Sequence, residues 1–97
     1  MLIKHLRDGR NCPFGTIVAI SPTDIGLAIC SPRDRFSKKM GVKIAKGRAQ
    51  THSWTRVPNR KLIEELDETV LDVVNTELYI MIERSKKYFK DVKNITN

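Results

Sequence analysis

Four side chains in this sequence carry the soft donor atoms that metal binding or nucleophilic chemistry needs: His5, Cys12, Cys30 and His52. A zinc site places such residues in close pairs along the chain, and no two of these have that spacing. Cys30 ends an apolar run, where a thiol behaves as a small hydrophobe, and Cys12 precedes Pro13 at a strand entrance. A Cys12–Cys30 disulfide fits neighbouring strands but not a reducing cytoplasm. The carboxylates fall mostly in the C-terminal part, in the pattern of a solvated helix face, and no glycine-rich phosphate loop is present. No catalytic residue, metal or cofactor is expected, and the protein reads as a non-enzyme.

The chemistry that the residues do offer is positive charge. Arg33, Arg35, Lys38, Lys39, Lys43, Lys46, Arg48 and Arg56 lie on or beside one segment, and Trp54 adds an aromatic ring that can stack on a base. The whole chain of 97 residues has a net charge of +7, and the surplus is uneven. Residues 1–58 carry 11 basic against 3 acidic side chains, whereas residues 59–97 carry 7 against 8. Such a surplus suits a phosphate backbone or an acidic protein surface, through Coulomb attraction and counterion release. The plainer alternative is a solvated face that keeps a small protein soluble. No helix-turn-helix, zinc-finger, ribonucleoprotein or KH signature accompanies the charges, so sequence-specific readout is not expected.

The elements that hold this cluster follow from local pattern. "LIKHL" is a short apolar run closed by "RDGRN", whose Asp8-Gly9 pair signals a turn. "GTIVAI" and "IGLAIC", separated by "SPTD", form an antiparallel hairpin. Neither alternates with polar residues, which places both near the sheet centre, covered on one face or both. Ser31, Pro32 and Asp34 form a helix start of the capping-box type, so the spacing predicts a helix from Ser31 to Ala49. On it, Phe36, Met40, Ile44 and Gly47 share a stripe expected to face the core, with Arg35, Lys38, Lys39 and Lys46 opposite. "THSWTRV" could add a strand ending at Pro58.

From Asn59 to about Lys93 the pattern predicts one long helix, acidic near its start and basic near its end, as the macrodipole favours. Its apolar stripe is about half the cylinder wide. At 1.5 Å per residue this helix would run about 50 Å, beyond the breadth of a domain this small. Either it breaks near Asn75-Thr76, or a second strip, Leu71, Leu78, Ile82 and Phe89, packs against another copy as a homodimer interface. The expected architecture is α+β: a single domain, residues 1–97, with an antiparallel sheet of about three or four strands covered by a basic helix. Residues 1–58 form the basic sheet-and-helix part and residues 59–97 the long C-terminal helix.

The segment Ile25–Ala49, "IGLAICSPRDRFSKKMGVKIAKGRA", resembles a pattern in small, mostly uncharacterised proteins of bacteriophages and mobile elements. In that pattern a strand leads into Cys-x-Pro-x-Asp-x-Phe-x-Lys-Lys, a glycine, and Ile-Ala-x-Gly-Arg-Ala. It matches from Cys30, Pro32, Asp34 and Phe36 through Lys38, Lys39 and Gly41 to Ile44, Ala45, Gly47, Arg48 and Ala49, about a quarter of the chain. The resemblance implies a phage context, in which small proteins commonly bind nucleic acid or seize a host protein. Three readings are carried forward: contact with DNA or RNA backbone, docking on an acidic host protein as inhibitor or modulator, and a structural role in an assembly. No apolar run is long enough to span a bilayer, and the start lacks a secretion signal, so the expected location is the host-cell cytoplasm, with no membrane partner.

Overall fold

The computed structural model describes residues 1–30, 35–51 and 67–96, the stretch from 90 onward as backbone. They form strands β1 (Leu2–Arg7), β2 (Pro13–Ser21) and β3 (Asp24–Ile29), and helices α1 (Lys38–Thr51) and α2 (Glu68–Thr96). The strands pair antiparallel in the order β1-β2-β3, giving an α+β fold. Asp8 builds the first turn: its carboxylate accepts from the backbone N–H of Arg10 and Cys12. The left-handed residue of that turn is Asn11 (φ 63°), not Gly9.

Both faces of the sheet are covered. Side chains alternate across a strand, so Leu6, Ile17, Ala19, Ile25 and Leu27 point to one side, where Val74, Leu78 and Met81 of α2 meet them. Val18 and Ala28 point to the other side and pack on Ala45 of α1, flanked by Ile20 and Val42. A sheet between two helices needs apolar residues at successive positions, which is why β2 and β3 lack polar alternation. Burying each large aliphatic side chain contributes about 1.5–3 kcal/mol, and the three layers bury Leu6, Ile17 and Ile25 completely.

The face that α1 turns to the sheet is not the expected one. Met40 is 51% and Ile44 41% exposed, and a Cβ on Gly47 would meet nothing within 4 Å. Contact is made instead by Gly41, Ala45 and Ala49, four residues apart, a stripe rotated by about 100° from the Phe36–Met40–Ile44–Gly47 row. A Cβ on Gly26 would run into Ala45 and lie 2.5 Å from the Ala49 nitrogen. Small side chains let the backbones approach, and close approach decides the helix orientation more strongly than burial of Met40 and Ile44.

The start of α1 also differs. Ser37 is its cap: its carbonyl accepts from the Gly41 N–H at 2.9 Å and its hydroxyl from the Met40 N–H at 3.3 Å. Residues 35–37 precede the helix, so it does not run from Ser31; the Ser31-Pro32-Asp34 motif itself lies outside the described residues. So do the expected strand at 52–58 and the expected helical stretch 59–66.

The helix α2 is continuous through Asn75 and Thr76, without the break considered above. It starts at an Asp67 cap, whose carboxylate accepts from the Thr69 N–H at 2.9 Å while its carbonyl accepts from the Leu71 N–H. The strip expected to face a second copy is taken up by the chain itself. Leu78 is 3% exposed in the core, Ile82 and Phe89 pack against that core, and Leu71 is half-buried. The sheet takes up Leu78 beside Val74 and Met81 and leaves Ile80 outside, which removes the need for a partner at this strip. The molecule is 46 Å long, in keeping with a helix of 29 residues at about 1.5 Å each.

Candidate nucleic-acid interface

Fixing the small-residue face of α1 on the sheet fixes where its charges go. Lys39, Lys43 and Lys46, spaced by four and three, fall within an arc of about 60° on the side away from the sheet, and all three are exposed. α1 contains no carboxylate, and among the described residues none of its lysines is in an ion pair, whereas Lys86 and Glu83 pair on α2 at 3.4 Å. Lys38 and Lys39 occupy the first helical turn, where the macrodipole is positive and a cation costs about 0.3–1 kcal/mol. Local stability would prefer acids there. Such a break in the local rules is expected where a surface serves binding.

The remaining expected residues divide. Arg35 is exposed just before α1 and extends the basic surface toward the helix start. Arg33, Trp54 and Arg56 lie outside the described residues, as does His52. Arg48 is drawn into the fold. Cys30 N–H donates to the Phe14 carbonyl at 2.7 Å, and the alternation of antiparallel bonding from that pair outward points the Leu27 carbonyl away from β2. The Arg48 guanidinium donates to that carbonyl at 2.8 Å and so closes part of the β3 edge. Unlike the lysines, it spends a guanidinium hydrogen bond on backbone.

Met40 and Ile44 form a flank with Arg48, each four residues from the next, and place exposed apolar surface directly beside the lysine row. The sequence signal for this was the rival stripe of Gly41, Ala45 and Ala49, which leaves the larger residues outside. No protein-family model, curated protein or solved structure matches this chain. The geometry of the face therefore carries the functional argument alone.

At the start of α1, His5 of β1 meets Phe36 edge-on, ring centroids 5.8 Å apart, and its Nδ1 lies 3.0 Å from the hydroxyl of the fully buried Thr16. Desolvation, then the positive charges of Lys38 and Arg7, hold the imidazole below its usual pKa of 6.5. A Cβ on Gly41 would press on that same Thr16 hydroxyl. The cluster ties β1, β2 and the first turn of α1 together. Neither cysteine is in a disulfide; Cys12 is exposed and Cys30 half-buried. Among the described residues no three His, Cys, Asp or Glu side chains are grouped to hold a metal ion, and no helix is long and apolar enough to cross a membrane.

Proposed function

We propose that the protein binds the phosphate backbone of DNA or RNA through the outward face of α1, as a small binding protein of phage type acting in the host cytoplasm. The observation that carries this reading is the row Lys39, Lys43 and Lys46 on a helix without a single carboxylate. Lysine is a point charge on a flexible stem, suited to phosphate rather than to bidentate reading of a base edge. Contact with three phosphates would give a slope of about −2.7 in log affinity against log salt on duplex, at about −0.9 per phosphate. The test is titration of labelled single-stranded and duplex oligonucleotides at low and moderate salt. Binding that weakens steeply with salt and disappears in the Lys39/Lys43/Lys46→Glu variant supports the reading, and no binding to either form at low salt overturns it.

Exposed Met40 and Ile44 beside the lysines favour one rival, an acidic host protein that offers an apolar contact next to its charges. Capture from a host lysate separates the two: a protein partner survives nuclease treatment and elevated salt.

A further inference from the structure

The helix α2 has a second row on its flank, turned about 110° from the row that faces the sheet. Val73, Glu77, Ile80, Arg84 and Lys87 alternate in steps of four and three, the heptad spacing, within an arc of about 80°. The row that faces the sheet is a different one, made by Val74, Leu78 and Met81. Ile80, at the middle of the outer row, is 40% exposed, Glu77 is half-buried and Arg84 exposed. Neither charge is in an ion pair among the described residues.

The charge along the helix is graded. From Glu68 to Met81 it carries Glu68, Asp72 and Glu77 and no basic residue, whereas from Ile82 onward five lysines and arginines face two carboxylates. We propose that this outer row takes the same row of a second copy, antiparallel, about a two-fold axis beside Ile80. In that register Ile80 packs on the partner subunit's Ile80, and Glu77 faces the partner subunit's Arg84 on each side of the axis. The symmetry makes one complementary pair serve twice. A parallel pairing would set acidic half against acidic half and basic against basic, so the charge pattern selects one direction. A seam of one helix is smaller than a standard stable interface, so the dimer is weak and sensitive to salt. The outer row thus replaces Leu71, Leu78, Ile82 and Phe89 as the surface for self-association.

Sedimentation equilibrium of the full chain, from low to high micromolar, tests this. The unmodified chain is expected to dimerise reversibly, more weakly in high salt. Glu77→Arg and Arg84→Glu each bring like charges together and weaken dimerisation by at least about tenfold, while the double variant restores both pairs and the dimer. Ile80→Asp yields monomers, and because Ile80 and Arg84 are exposed, their variants keep the native far-UV circular dichroism. A chain that stays monomeric throughout, a dimer indifferent to Ile80→Asp and Arg84→Glu, or a folded double variant that stays monomeric would each overturn the proposal.

Discussion

Gly26 of β3 and Ala45 of α1 are packed so closely that a single added carbon on Gly26 would collide with the Ala45 carbonyl oxygen. The obstruction is backbone, which cannot rotate away as a side-chain tip can. Gly26→Ala is therefore expected to lift α1 from the sheet and to cost about 1–3 kcal/mol or more, read as a lower urea midpoint. Gly47→Ala provides the contrast, since its Cβ would enter open space. It should stabilise the protein by about 0.4–1 kcal/mol through helix propensity. A loss of stability at Gly47 equal to that at Gly26 would show that the wrong face of α1 has been placed on the sheet.

Asp67 caps α2 with both its carboxylate and its carbonyl. Asp67→Ala is expected to cost about 0.5–2 kcal/mol, whereas Asp67→Ser, which keeps an acceptor, should recover most of that. Equal midpoints for the alanine variant and the parent chain would place the helix start elsewhere.

His5 gives a pH dependence with a defined sign. Its pKa in the folded protein is lowered, by desolvation first and then by Lys38 and Arg7. The unfolded chain therefore binds the proton more readily, and stability falls as pH drops below about 6.5 toward the folded value, while above that range this group adds no slope. His5→Gln should flatten the change in unfolding free energy between pH 7 and 5. If the variant retains the full slope, other groups cause it.

Lys46 and Arg48 are two residues apart and differ in task. Lys46→Gln removes a charge from the outer face, so oligonucleotide affinity and the salt slope should both fall, the slope by about 0.9, at unchanged stability. Arg48→Met removes the hydrogen bond to the Leu27 carbonyl. It should cost about 0.5–1.5 kcal/mol of stability and leave the salt slope near that of the parent. The opposite pattern, with Arg48 controlling the slope and Lys46 the stability, would reverse the two assignments.

The strands were legible in the sequence because their causes are local. β-branched runs in "GTIVAI" and "IGLAIC" and the turn residues between them specify a hairpin whatever surrounds it. The missing polar alternation already required cover on at least one face, and the charge count placed the basic residues on one segment. Which side of α1 is inside was not legible. A hydrophobic ranking puts Phe36, Met40 and Ile44 above Gly41, Ala45 and Ala49, and only the approach of Gly26 in β3 reverses that order. The same holds for α2, where two apolar rows compete and packing on the sheet decides that Leu78 and Ile82 go inward while Ile80 stays out. Arg48 looked like one more cation until the edge of β3 supplied its carbonyl. Composition and local pattern thus determined the elements and the sign of the surface, and the approach of one element's backbone to another's decided which charges and which apolar residues reach the solvent.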